Sequence, residues 1–353
     1  MDAYAATRTE RDRTGSPASV RVGLLLVDDF PLLPFASVVE PLRVANLLSG
    51  RELYRVREIP VGGSRARSSG GVLVPARAQV GEHVDFDLVL VIAGSDPFRF
   101  DDARTGRWLR HLARRGVALG GVSGGPVVLA SAGLLDGYRM TLHWEHAPAL
   151  IERRPELVVE RSLYVIDRDR MTCAGGTAPL DLMHALVTRD HGAELARRVA
   201  DWLQHTEIRP PDGAQRAGVV ERYGVHQRPL IEALAAMETH VSDPLELEDL
   251  ARIAGVGARQ LTRLFDERLG ETPMGFYRQL RLDQGQRLLR QSGLAVGEVA
   301  RATGFVSAAH FSRTYRARYG RSPSAERGPG GECPPDGVPR REGRAPKGAG
   351  TSR

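Results

Sequence analysis

The 353-residue sequence predicts an α/β domain built on a parallel sheet with helices on both faces, followed by an all-α domain with two helix-turn-helix units. Three observations carry this. Between Val20 and about Glu207, apolar runs of strand length alternate with helical stretches, as in a sheet covered on both sides. After Arg209-Pro210-Pro211-Asp212-Gly213 no strand pattern remains, and the chain to Glu326 reads as short helices punctuated by Gly, Ser and Pro. The layout of Leu245–Gly270 then recurs in Val296–Gly320.

Taken in order, Val20–Val27 is expected as a strand, followed by a helix near Ala36–Leu48. Leu53–Ile59 and Leu88–Ile92 are expected strands, Asp102–Arg115 a helix, Val117–Val122 a strand and Pro126–Leu134 a helix. Leu163–Ile166 and Arg170–Cys173 suit a hairpin through Asp167-Arg168-Asp169, and helices are expected near Ala178–Arg189 and Ala193–His205. The first domain then covers 20–209, a linker 210–228 and the helical domain 229–326. Residues 1–19, polar and mixed in charge, read as a disordered leader. Residues 327–353, with 7 Gly and 5 Pro among 27, read as a disordered tail because that composition cannot build a core.

Hydrophobic residues make up 42% and charged residues 26%, which excludes a wholly disordered chain. No run approaches the roughly 18 apolar residues of a membrane span, and the start lacks the apolar core of a secretory signal. No membrane association and a cytoplasmic location are therefore expected. Two cysteines, Cys173 and Cys333, exclude a disulfide framework or a Cys-rich zinc site, and no cofactor or metal is expected. Net charge is +6, but Ala251–Arg321 holds 13 arginines against 5 acidic residues, a local +8 that leaves −2 for the rest. That segment calls for an anionic partner.

Its pattern says which. Leu247, Leu250, Ala251 and Ala254 form one apolar stripe, Gly255-Val256-Gly257 a tight turn, and Leu261, Leu264 and Phe265 the stripe of a second helix. On that helix Arg259, Thr262 and Arg263 share the opposite face, suited to base edges in a major groove. In the repeat, Val299, Ala300 and Phe305 match the first stripe, Ser307 sits at the N-cap, and Phe311, Thr314 and Tyr315 face inward, leaving His310 and Arg313 outward. Met274–Gln291, after Pro273 and before Gly293, is expected as one helix of about 27 Å joining the units. Two recognition helices could then enter grooves about 34 Å apart. These residues resemble the AraC/XylS family of transcription regulators, through GFYRQLRLDQGQRLL, GFVSAAHFSRTYRARYG and RSPSAER. The resemblance implies double-stranded promoter DNA as partner. It favours Arg259, Thr262, Arg263, Ser307, His310 and Arg313 as contacts, and implies RNA polymerase as a further partner if the chain activates.

In the first domain, Val117–Val122 followed by Ser123-Gly124-Gly125-Pro126 makes a strand, a sharp turn and a helix, and GVSGG matches the short serine-hydrolase elbow motif. Backbone N–H groups there suit an anion at a helix N-terminus. The surrounding motifs FASVVEPLRVAN, AGLLDGYRMTLHWEH, LYVIDRDRMTCAGGTAPLDLM and HTEIR resemble the PfpI-like, class I glutamine-amidotransferase-like fold, a flavodoxin-like sheet. Within it they are similar to the GlxA group, where this domain is fused to an AraC-type reader. Enzymes of that fold place a cysteine at the elbow and a glutamate after the first strand. Here Ser123 and Pro34 stand there, Glu40 is the nearest acid, and only His143 matches. The expectation is a sensor rather than an enzyme, with a PfpI-like hydrolase or amidase bearing a DNA-binding appendix as the alternative. The pocket is expected to use Ser123, Gly124, Gly94, Ser95, His143 and Trp144 for a small effector, amino-acid-like or a quaternary ammonium. A homodimer is expected. Cys173 is expected as a buried apolar residue.

Overall fold

The structure, a computed structural model, describes residues 19–82, 85–291 and 294–327. The leader to residue 18, the tail from 328, Gly293 and Cys333 lie outside these. Strands β1 (Val20–Leu26), β2 (Tyr54–Pro60), β5 (Leu88–Ala93), β6 (Ala118–Ser123), β9 (Tyr164–Asp167) and β10 (Arg170–Cys173) form one sheet in the order β2-β1-β5-β6-β10-β9. All neighbours are parallel except β9, which pairs antiparallel with β10 as the expected hairpin.

Every residue of β5 is buried, because side chains alternate between two cores. Leu88, Leu90 and Ile92 point to one core, which includes Val38 and Leu42 of α1 (Leu32–Ser49), Leu182 and Val187 of α5 (Ala178–His191) and Val199 of α6 (Ala193–Trp202). Val89, Val91 and Ala93 point to the other, with Trp108 and Leu109 of α2 (Ala103–Arg114) and Val127 and Leu129 of α3 (Gly125–Ser131). The sheet is thus sandwiched, as the alternating sequence pattern requires.

Some elements differ from expectation. Helix α1 starts at Leu32, because Pro31 at φ −72° serves as its N-cap despite offering no side-chain acceptor. By length and composition α1 is the one described helix apolar enough to cross a membrane, although Glu40 and Arg43 interrupt its apolar run; here it packs on the sheet through Val38, Leu42, Val44 and Ala45. Helix α6 stops at Trp202 because Gln204 turns back at φ 57° and His205 N–H donates to Ala200 O. Four short strands lacked any periodic signal: β3 (Arg65–Arg67) with β4 (Leu73–Pro75), and β7 (Arg139–Met140) with β8 (Val158–Val159). Helix α4 (Ala147–Arg153) also escaped the pattern.

The segment read as a linker is bound at both ends. Pro211 O accepts from Leu163 N–H at 2.8 Å, and Gln215 Nε2 donates to Leu142 O and Ser162 O at 3.1 and 2.7 Å. Arg209 and His205 converge on the fully buried Asp181. Downstream, α7 (Val219–Tyr223) belongs to the helical core. Arg222 Nη2 and Tyr223 Oη donate to Glu238 on α8 (Arg228–Thr239) at 2.7 and 2.9 Å, and Val225 is 1% exposed.

The remaining helices are α9 (Leu247–Ile253), α10 (Ala258–Leu269), α11 (Pro273–Gln291), α12 (Val296–Ala302) and α13 (Ala308–Tyr319). A fragment beginning at Gly218 should therefore outlast one beginning at Pro229, since the shorter one loses the burial of Val225 and the Glu238 contacts. The expected difference is about 2–3 kcal/mol in urea unfolding. Equal stabilities would show that α7 contributes nothing to the helical core.

Candidate DNA-reading helices and ligand pocket

The two recognition helices repeat at an offset of 50 residues. Leu261 and Phe265 of α10 are fully buried, and so are their counterparts Phe311 and Tyr315 of α13. Arg259 and Arg263, and likewise His310 and Arg313, remain exposed on the opposite face. The sequence missed Gln260, which is exposed and stands where His310 stands in the second unit. The 50-residue offset, applied position by position, points to it.

Not every expected contact is equally available. Thr262 is half-buried and its hydroxyl donates to Ala258 O at 2.9 Å, so only its acceptor capacity is left for a base. Ser307 caps α13 by accepting from His310 N–H at 3.2 Å, which gives it a structural task at the helix end. Thr314, expected inward, is half-buried and bonds His310 O.

Several arginines of the basic segment hold the fold rather than face a ligand. Arg281 of α11 donates to Thr303 O at 2.7 Å and to Gly304 O, fastening the turn of the second unit. Arg290 and Arg321 both reach the buried Glu326 carboxylate at 2.7 Å, and Arg318 pairs with Asp283 at 2.9 Å. Arg263 faces Glu267 only loosely, at 3.7 Å and largely exposed, which leaves its guanidinium free to be drawn to a base edge.

The elbow forms as its residues demand. Ser123 ends β6 at φ 61°, the left-handed turn of a nucleophile elbow, and α3 starts two residues later. Glycines make room: a Cβ on Gly125 would stand 1.9 Å from Val91 O, and one on Gly121 would stand 2.4 Å from Pro126 N. Gly94 is pressed against Pro31, and Ser95, at φ 51°, donates to Asp29 O at 3.4 Å.

The Gly124 N–H expected to meet an anion donates instead to Ala93 O at 2.8 Å, so it extends the sheet ladder. His143 approaches through its backbone, N–H to Ser123 O at 3.2 Å, while its Nδ1 accepts from Glu145 N–H. No hydrogen bond among the described residues joins the Ser123 hydroxyl to the His143 ring. Pro34 is buried inside α1, and Glu40 points outward to Arg43. A hydroxyl nucleophile needs a base in contact, and none is assembled here. Cys173 is fully buried in β10 and burial pushes its thiol up to about 12, so it is held as an inert thiol.

An aromatic wall flanks the elbow. The His143 ring lies 5.4 Å from Trp144 and 5.7 Å from His146, which in turn meets Phe98 at 6.3 Å. Trp144 already carries a cation: the Arg216 guanidinium lies 4.3 Å from its ring centroid. Asp96, missed in the sequence, lies at the same carboxyl edge of the sheet, directly before Pro97, which packs on Gly124. Burial raises its carboxyl above the ordinary range, and its Oδ1 has no hydrogen-bond partner. No group of three or more potential metal ligands occurs among the described residues.

Comparison with known proteins completes the picture. Residues 21–189 match the DJ-1/PfpI family and residues 250–328 match a helix-turn-helix domain. The HTH-type transcriptional regulator GlxA of Rhizobium meliloti is 43% identical over 87% of this chain and 95% of its own length. CdhR of Pseudomonas aeruginosa is 45% identical over 86% and 90%, and GbdR of the same species 40% over 93% and 88%. The chain belongs to the AraC-type transcriptional regulators that carry a DJ-1/PfpI domain. It is thus a DNA-binding transcription regulator, and these relatives are regulators rather than enzymes.

The wall makes a pH test. His146 is 4% exposed, and burial, then the neighbouring His143, pushes it from 6.5 down to about 3. The unfolded chain therefore takes up this proton more readily than the folded one. Stability should be complete above about pH 6.5 and fall as the pH drops toward 3, by up to about 1.4 kcal/mol per unit. His146→Phe should flatten the decline of the unfolding free energy between pH 6 and 4. An unchanged slope would mean that His146 is hydrated.

Proposed function

We propose that the chain couples a small zwitterionic metabolite, amino-acid-like or a quaternary ammonium, to sequence-specific DNA binding, with activation as the output. The observation that carries this is the combination, in one chain, of two arginine-bearing recognition helices and an α/β domain whose ligand edge survives without its catalytic groups. The effector sits at the carboxyl ends of β5 and β6, where open α/β sheets bind ligands, near Gly94, Ser95, Ser123, Gly124 and His143. Asp96, a desolvated carboxylate with an unpartnered oxygen, suits the cationic head. Trp144 is less suited, because Arg216 already occupies its ring. The protein works in the cytoplasm as a homodimer through the α/β domain, and contacts RNA polymerase when it activates.

Two experiments test this. Arg263→Ala and Arg313→Ala should each weaken operator binding by about 1–3 kcal/mol and relax base preference at positions one helical turn apart. Wild-type discrimination of operator mutants by both variants would place the reading face elsewhere. Ser123→Ala should keep most of the effector response in a reporter assay. Ser123→Trp should abolish the response while operator affinity without effector stays unchanged. A Ser123→Trp protein that responds normally would remove the ligand from the elbow.

A further inference from the structure

The junction between the domains carries two guanidiniums that no carboxylate contacts directly among the described residues. Trp144 holds two guanidiniums, Arg216 at 4.3 Å and Arg287 at 5.7 Å from its ring centroid. They come from different parts of the chain, Arg216 from the segment entering the helical domain and Arg287 from α11. Arg287 donates to Gln284 Oε1 at 3.2 and 2.8 Å, a neutral partner. Neither arginine is paired with a carboxylate among the described residues, whereas their neighbour Arg222 is neutralised by Glu238. Desolvation, then the positive charges of Arg222 and Arg287, holds Arg216 below its ordinary range against the pull of the more distant Glu238, although the side chain still reaches solvent.

The domains touch at this place. Ala149 of α4 is buried in one cluster with Leu282, Leu288 and Leu289 of α11, and Phe98 packs against it. The elbow is near: His143, whose N–H holds Ser123 O, is the residue before Trp144. The Gly124 N–H, committed to the sheet, is not available to a carboxylate bound at this edge.

We propose that Arg216 and Arg287 form a carboxylate-binding site across the domain junction, over the Trp144 ring. This builds on reading the sheet edge as the effector site, and it names the groups that recognise the effector's acid end. Guanidiniums suit the task because each offers a planar pair of donors to the two oxygens of a carboxylate. The mechanical consequence follows from where the arginines sit. A carboxylate held by both ties the connecting segment to α11, the helix that joins the two reading units, and so favours one placement of the reader on the sheet domain. An effector shifts such an equilibrium only through groups it contacts differently in the two states. These two arginines, one on each moving part, are such groups.

The test uses the full-length chain and probe pairs that share a cationic head and differ in the acid: trimethylglycine against choline, dimethylglycine against dimethylaminoethanol, and 3-aminopropionate against 3-aminopropanol. Binding is measured by titration calorimetry at constant ionic strength, with thermal unfolding confirming that each variant is folded. At least one acid should bind wild type about tenfold or more tightly than its alcohol. Arg216→Gln and Arg287→Gln should each remove that preference, and Arg216→Lys should retain part of it. The proposal is overturned if no acid is preferred, or if the preference survives both glutamine variants. It is equally overturned if those variants weaken DNA binding without probe and flatten its salt dependence, which would assign the guanidiniums to DNA phosphates. Ser123→Trp separates the two readings. An acid preference that survives Ser123→Trp but not Arg216→Gln leaves the junction site standing and removes the elbow placement. The opposite pattern does the reverse.

Discussion

The way the two domains meet depends on one buried carboxylate. Asp181 on α5 has no solvent exposure, so its charge has to be met by protein donors. It takes Arg209 N–H, Nε and Nη2 at 2.9, 3.0 and 2.6 Å, and His205 Nε2 at 2.9 Å. That demand pulls residues 205–209 back onto the sheet domain and sets the direction in which the chain leaves it. Pro211 and Gln215 are then laid against Leu163 and against Leu142 and Ser162, and Arg216 arrives over Trp144. Removing one partner from such a buried pair costs roughly 3–5 kcal/mol. The HTEIR motif therefore acts as a clasp, and the reader is seated by it rather than tethered on a loose leash.

The same economy of space shapes the elbow. Glycines at 120, 121 and 125 let α3 and the neighbouring strands approach so closely that added methyl groups would collide with backbone, and one at Gly124 would collide with the Pro97 ring. In an enzyme this geometry exposes a nucleophile. In this chain Ser123 is itself buried, 6% exposed, with no base in hydrogen-bond contact, while the backbone N–H beside it is bound to the sheet. What survives is the shape of the site: a sharp turn, a half-buried acid at Asp96 and an aromatic wall leading to the second domain. The proposed effector site rests on that shape and needs no activated nucleophile.

Much of this was legible in the sequence because burial leaves periodic marks. Strand β5 is an unbroken apolar run because both its faces are covered, and the 50-residue repeat of the reading units shows in Leu261 and Phe265 against Phe311 and Tyr315. The N-cap at Ser307 was readable from its neighbours. Strands β7 and β8, two residues each, are too short to carry a period. The commitment of the Gly124 N–H depends on Ala93, some thirty residues away, and Thr262 hides its hydroxyl in its own helix. Arg281, Arg290 and Arg318 look like DNA contacts by composition, yet each is held by a partner from another turn of the chain. Arg216 gave no sign, since its meaning lies in Trp144, more than seventy residues earlier. Local pattern reports the cores, while functional contacts between distant segments are set by tertiary packing.

The sheet domain is seated on α11 through Ala149 and thereby constrains the reader. Amide hydrogen exchange along α11, compared between the full-length chain and a fragment beginning at Gly218, tests it directly. If the seating holds, amides around Leu282–Leu289 are better protected in the full chain, because Ala149, Phe98 and Trp144 cover that stretch. Those of α10, on the far unit, exchange equally in both. Identical protection along the whole of α11 in the two proteins would show that the sheet domain does not cover it.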